Sequence, residues 1–537
     1  MFIYLRSILT ARCIFALAAA LGMSLSFGSC AKKSAGTGAP DQLILAVGGE
    51  PDEGFDPCTG WGRYGSPLFQ STLLEFDKDM NFSYDLAEDY SVSANGLVWT
   101  FRIRRDAKFT DGTNVNARDV AFTYNTAKQT DSEVDLTRMK EARAVNDTTV
   151  EFVLNTPMSA FPYIAVTLGI VPENIYTQNP QAYGQKPVGS GPYKFVQWDK
   201  GQQLIVERND DYYGQMPAFK RLVLLFYDTD AALASVLSGE ADIAMTVPAL
   251  VRDIPGYTLL RCLSVDNRGV SFPATKSGTK NADGLPVGND VTSDIAIRKA
   301  LIYGIDRDAI VNDALRGYGR RADSACDNLP WWNPQTRISD KDADGQKKAL
   351  DAAGWIEGSG GIREKNGLRA SFELMYPAND SLRQAIALEF ARQARALGIE
   401  VKPLGGSWDD IGRRMYETPV EFGWGAHNPM EIYNLYYGKY ATDGYNNLTN
   451  MVNPAVDRYM DAALAALSYE EAIKNWRLAQ WDGVTGFSSL GDATWCWLVD
   501  IDHLYYVRSN LDTGNQRIHP HGHGFPIISN IKEWKRK

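Results

Sequence analysis

Residues 97–122 read LVWTFRIRRDAKFTDGTNVNARDVAF, and this stretch decides the fold. Trp99, Phe101 and Ile103 alternate with outward-facing residues, the period of a half-buried strand. Residues 108–113 then form a turn, in which Asp111-Gly112 tolerates the positive φ that a tight reversal needs. Ala117-Arg118-Asp119-Val120 opens a helix. Strand, turn and helix in so short a span point to a mixed α/β chain.

The same alternation recurs on both sides. Leu43 to Val47 is a short buried-type strand, and residues 149–154, TVEFVL, form another. Residues 204–209, LIVERN, continue the pattern. Residues 294–308, DIAIRKALIYGIDRD, carry apolar side chains at helical spacing. A helix ending near Trp355 is stopped by Gly354. Residues 362–376 read as a hairpin about Asn366-Gly367, and residues 382–397 as an amphipathic helix capped by Gly398. Ile399-Glu400-Val401 begins the next strand.

The N-terminus carries its own signal. Arg6 and Arg12 precede residues 13–27, CIFALAAALGMSLSF, an apolar run of signal-peptide length and too short for a comfortable membrane span. Small residues follow and then Cys30, the arrangement of a lipoprotein cleavage site, so Cys30 is the expected lipidation point. Residues 31–40, AKKSAGTGAP, read as a flexible tether. Loss of Arg6 and Arg12 with the signal takes the 55 basic residues to 53 against 65 acidic ones, a net charge of −12. That balance argues against nucleic acid or another polyanion as partner. Cys58, Cys262, Cys326 and Cys496 remain, no two close enough for a metal knuckle; disulfides and free buried thiols are both open.

The 97–122 block resembles the segment shared by family 5 extracellular solute-binding proteins, which feed oligopeptides, dipeptides or nickel complexes to ABC importers. Val188-Gly189-Ser190-Gly191-Pro192-Tyr193 resembles that family's Gly-Thr-Gly-Pro-Tyr return point between domains, and residues 236–243 and 294–308 resemble further family blocks. The resemblance spans about 42 to 510. It implies a two-lobed Venus-flytrap fold of the periplasmic-binding-protein type, with ligand held between lobes that close about a hinge. The expected organisation is a signal peptide over 1–29 and a lipidated tether over 30–41. Lobe I takes 42–75, 188–285 and 500–537, a small domain is inserted over 76–187, and lobe II takes 286–499. The implied partners are the ABC permease and ATPase subunits and, through the lipid, a membrane. The implied location is extracytoplasmic, in periplasm or at the cell surface, and the chain acts as a monomer.

Two segments bear on the ligand. In residues 422–437, FGWGAHNPMEIYNLYY, Trp424-Gly425-Ala426 matches the family's Trp-Gly-Ala in the cleft lining. Peptide receptors then carry an aspartate for the peptide's ammonium, where this chain has His427-Asn428-Pro429 and, two residues on, Glu431. A buried ammonium without counter-charge is costly. Trp424, His427, Asn428 and Glu431 are candidate ligand contacts, with Trp61, Arg63 and Tyr64 of the loop that leads into the family's cleft. The second segment is His519-Pro520-His521-Gly522-His523-Gly524, three of the chain's five histidines at alternate positions. An extended backbone puts alternate side chains on one face, a candidate site for nickel, copper or zinc. The expectation is a receptor that slightly favours a transition-metal complex as transported ligand, with a peptide receptor as the alternative. Arg138 and Arg143 lie in roughly the region where nickel-type receptors clamp an anionic chelate; His503, beside Asp500 and Asp502, reads as structural. A metal-dependent hydrolase is a distant alternative, because Gly522 follows His521 where a dinuclear hydrolase would more often supply further ligands; neither a nucleophile elbow nor a Walker motif occurs, and no resident cofactor or catalysis is expected.

Overall fold

The computed structural model describes residues 41–63, 68–130, 134–522 and 524–537. The signal, the tether, Cys30, Tyr64 and His523 lie outside the described residues. The deciding stretch folds as read. Strand Val98–Ile103 buries Trp99, Phe101 and Ile103. Helix Ala117–Gln129 starts at a reciprocal cap, in which Arg118 N donates to Asn116 Oδ1 (2.8 Å) and Asn116 N to Asp119 Oδ2 (3.1 Å). The strand belongs to a four-stranded antiparallel sheet in the order Ala87–Val92, Val98–Ile103, Thr149–Leu154, Met139–Asn146.

The chain has two lobes. The first is built on a seven-stranded sheet assembled from distant parts of the sequence. Its order is Tyr257–Cys262, His503–Arg508, Ile243–Thr246, Gln42–Ala46, Arg221–Leu225, Gln203–Arg208, Tyr193–Asp199. Gln42–Ala46 pairs in parallel with both neighbours and the remaining pairs are antiparallel. Leu43, Leu45, Val206, Leu222 and Leu224 fill one face together with Phe55 and Trp534.

The second lobe has an antiparallel sheet in the order Gly319–Arg321, Trp495–Ile501, Asn267–Ser271, Glu421–Phe422. Asn267–Ser271 already pairs here, so the crossing from the first lobe falls at 263–266, earlier than the expected 285. Helix Ser381–Ala396 ends at Gly398, φ +79°, as read. The hairpin at Asn366-Gly367 is real but short, Arg363–Lys365 against Leu368–Arg369. Ser371–Pro377 instead pairs in parallel with Glu400–Gly406. One apolar core runs through the inserted region and helices Met430–Tyr436, Pro454–Ala465 and Tyr469–Gln480, so the insertion shares its interior with the second lobe.

Gly189 and Gly191 act through space rather than through φ. A Cβ on Gly189 would lie 2.1 Å from the Phe69 carbonyl oxygen, and one on Gly191 2.5 Å from that of Leu68. Cys58, Cys262, Cys326 and Cys496 are all unpaired and buried.

Candidate functional site

Two connections cross between the sheets, 263–266 and Asp502, and the C-terminal segment laces them together. His519 N donates to the Leu263 carbonyl (2.8 Å) and Val265 N to that of His519 (2.9 Å). Ile501 N donates to the Asp266 carbonyl at 2.9 Å, and His521 N to that of Gly425 at 2.7 Å. The turn that holds most of the candidate contacts is therefore tied directly to the joint.

That turn leaves the edge strand Glu421–Phe422. Trp424 is locked at both backbone ends, its N donating to Asn267 Oδ1 and its carbonyl accepting from Asn267 N, each at 3.0 Å. Gly425 has no room for a Cβ, which would stand 2.6 Å from the Val265 carbonyl oxygen. Glu431 reaches back to accept from Gly425 N (2.8 Å) and Ala426 N (2.6 Å). Burial pushes its carboxyl up to about 8 despite these bonds. Asn428 Oδ1 accepts from Met430 N at 3.0 Å, at the start of the following helix. Neither group is a free carboxylate for an ammonium: one fixes the turn and the other starts a helix.

Two nitrogens on the turn have no partner in the structure, Trp424 Nε1 and His427 Nε2, both shielded from water. The His519 backbone carbonyl near the ring favours its charged form only weakly. Burial, helped by the Arg517 guanidinium, pushes the imidazole down to about 4. His427 is thus neutral, with Nε2 unused, and Trp424 offers an unused donor. Phe76 of the inserted region meets the His427 ring edge-on, with centroids 5.9 Å apart. Beside Trp424 stands an aromatic wall: Phe422 stacks on it at 5.1 Å, and the half-exposed Trp408 and Tyr445 pack on Phe422. Apolar walls with a few aimed polar atoms are the usual make-up of a small-molecule site.

The other sequence candidates lie elsewhere. Trp61 packs edge-on against Phe55 and Phe525 in the first lobe's core, 9% exposed. Arg63 stays partly exposed in the loop after the turn Pro57–Thr59. Of the three tail histidines expected to face a metal, His519 and His521 lie within the described residues. His519 turns toward His503 and Gln516, whereas His521 Nδ1 meets Asp266 Oδ1 at 2.6 Å. Among the described residues no group of three or more His, Cys, Asp or Glu side chains is placed to hold a metal ion. Arg138 bonds Thr156 and Tyr433, and Arg143 pairs with Glu151 at the outer sheet, so neither stands free as an anion clamp. Sequence reading missed Asp266, whose partners His503 and His521 lie far away along the chain, and Gln516, which meets His519 close by in the tail.

Comparison with known proteins agrees with this architecture. Residues 81–459 match the family described as bacterial extracellular solute-binding proteins, family 5 Middle. Protein XP55 of Streptomyces lividans is 34% identical over 503 residues, covering 89% of this chain and 86% of that protein. The oligopeptide-binding protein AppA of Bacillus subtilis (strain 168) is 28% identical over 452 residues, covering 79% and 81%. Among solved structures, NikZ from Campylobacter jejuni in complex with Ni(L-His) superposes with a TM-score of 0.76 at 24% identity, covering 93% of this chain and 100% of that one. That likeness establishes the shared two-lobed fold. No helix among the described residues is long and apolar enough to cross a membrane.

Proposed function

Because the chain belongs to family 5 of the bacterial extracellular solute-binding proteins, we propose that it is the receptor of an ABC importer. It captures a small amide-bearing solute of peptide type between its lobes and hands it to the permease and its ATPase, without catalysing a reaction. The observation that carries the solute class is the pair of unused nitrogens on one turn. His427 Nε2 accepts and Trp424 Nε1 donates; an amide supplies the matching N–H and C=O. With Glu431 and Asn428 committed to the turn, an α-ammonium is not captured here by charge. The first readings of Glu431 and Asn428 as solute contacts thus give way to a supporting role. Trp408, Phe422 and Tyr445 supply the apolar wall. Delivery at a membrane surface rests on lipidation of Cys30, which palmitate labelling lost in Cys30→Ala tests.

The test is calorimetric titration of the signal-less protein with a panel of di- to pentapeptides and, separately, with Ni²⁺ plus free histidine. Peptide binding that His427→Ala weakens by roughly tenfold or more, as expected for a lost buried hydrogen bond, supports the reading. Binding of the nickel–histidine mixture alone assigns a transition-metal complex instead and overturns the peptide class.

A further inference from the structure

A cavity of about 270 Å³ lies beside the candidate turn, and one cation in its wall is poorly answered. The cavity is bounded by the hairpin of Leu74–Phe76 with Phe82–Tyr84, by the C-terminal segment and by the helical turns Pro526–Glu533. Phe76 belongs to its wall and also meets the His427 ring of the turn, with centroids 5.9 Å apart. Arg517 lines the same cavity, and its charge is felt at His427. A fixed positive charge therefore stands where the solute meets the turn.

Three acidic and three basic side chains line the cavity, so what matters is where each charge is engaged. Asp77 holds its own hairpin together, accepting from Asp79 N (2.8 Å), Asn81 N (2.9 Å) and Asn81 Nδ2 (3.1 Å). Glu533 accepts from Asn530 Nδ2 at 3.4 Å. Lys78 pairs with Asp79, and Lys532 lies 3.1 Å from Glu75 Oε2. Among the described residues the Arg517 guanidinium has one acidic neighbour, that same Glu75 oxygen at 3.9 Å, an ion pair too long for a hydrogen bond. Its side chain is only 20% exposed, yet the guanidinium carries five N–H donors in a rigid planar fork.

The turn supplies no competing anion. Glu431 is bonded to Gly425 N and Ala426 N, and burial pushes its carboxyl up to about 8, so it is mostly uncharged at neutrality. The Asp266 carboxylate behind the turn is taken by Arg268 and His521.

We infer that the solute brings a carboxylate to Arg517 and lies with its acidic end at the His427 turn. This rests on the reading of the turn as a site for a peptide-type solute. A carboxylate is planar and accepts two parallel N–H bonds from the guanidinium fork, the strong form of this contact. The same positive charge repels an α-ammonium from that end. The accepted class is then a peptide with a free C-terminal acid, whether or not its amino end is blocked; a C-terminal amide is discriminated against.

The experiment takes the tightest-binding member of a panel of di- to pentapeptides. It titrates that peptide calorimetrically into the signal-less protein as the free peptide, its N-acetyl form and its C-terminal amide. The titrations are repeated with Arg517→Gln and Arg517→Lys. Amidation should weaken wild-type binding roughly ten- to a hundredfold, as loss of hydrogen bonds to a charged group does. N-acetylation should leave the affinity nearly unchanged. Arg517→Gln should bring the acid down to the level of the amide, and Arg517→Lys should keep part of the preference. Equal affinity for acid and amide in the wild type, or a preference that survives Arg517→Gln, overturns the inference while the peptide reading stands. A panel in which no peptide binds removes that reading, and the inference with it. The wild-type comparison of acid with amide needs no variant to fold.

Discussion

Arg138 donates to the Tyr433 hydroxyl at 2.9 Å, so an arginine of the inserted sheet is held by the helix that follows the candidate turn. The same guanidinium bonds Thr156 Oγ1 at 3.0 Å and lies 5.4 Å from the Tyr433 ring centroid. The inserted region is thereby fastened to the second lobe by one side chain with three engagements. Tyr433→Phe should cost about 1 kcal/mol in chemical denaturation. Arg138→Ala should cost somewhat more, and the double variant should be less than additive. Strict additivity would mean that the two residues do not couple.

Gly189 and Gly191 are tested by alanine. The atoms their Cβ would strike are backbone oxygens, which have little freedom to withdraw. Each substitution should destabilise by about 1–3 kcal/mol or more, as overpacking does. Gly201→Ala, with nothing within 4 Å of the added carbon but φ +71°, should cost only about 1 kcal/mol of backbone strain. Equal losses at all three sites would contradict the crowding argument.

Glu421 lies fully buried with neither carboxylate oxygen hydrogen-bonded. Burial outweighs the nearby Arg383 and Arg268 and pushes the carboxyl up to about 8. A folded value above the unfolded one, about 4.3, means that the proton favours the fold. The contribution is complete in acid and is lost as pH climbs toward 8. Melting temperature should accordingly fall over that interval, by the equivalent of a few kcal/mol at most, and Glu421→Gln should flatten the fall. A wild-type profile rising with pH while the variant stays flat would reverse the sign and reject the assignment.

The cysteines yield a simple chemical prediction. Burial pushes all four thiols above the usual range, Cys496 to about 11 and Cys262 to about 12. Cys58, Cys262, Cys326 and Cys496 should resist a thiol reagent in the native protein and react after unfolding. Reductant should leave the melting temperature unchanged. A shift on reduction would reveal a pairing.

Much of the fold was legible because its signals are local. The alternation at Trp99, Phe101 and Ile103, the αL stop at Gly398 and the turn at Asn366-Gly367 each involve neighbours a few residues apart. The crossing into the second lobe was misplaced for a physical reason. Its strand is Asn267-Arg268-Gly269-Val270-Ser271, fully buried yet mostly polar, so it carries no apolar pattern. The turn at Trp424 was also legible, but the duties of its residues were not. Glu431 bonds amides five and six residues back, which composition does not reveal. The surroundings of His519 and His521 were not legible from their spacing in the tail. Their orientation is set by Asp266 and Gln516, and Asp266 lies more than two hundred residues away. Trp61 was chosen as an aromatic in a loop, and it serves as filling between Phe55 and Phe525.

The strand His503–Arg508 lies inside the first sheet, with Tyr257–Cys262 on one side and Ile243–Thr246 on the other. Translation reaches it only after all the other strands of that sheet have been made. A product that stops short of it leaves two edges with bare backbone donors and acceptors, open to pairing with other chains. The sheet thus works as a check on synthesis: a chain terminated before Arg508 exposes its own defect to proteases, and one that carries the strand hides it.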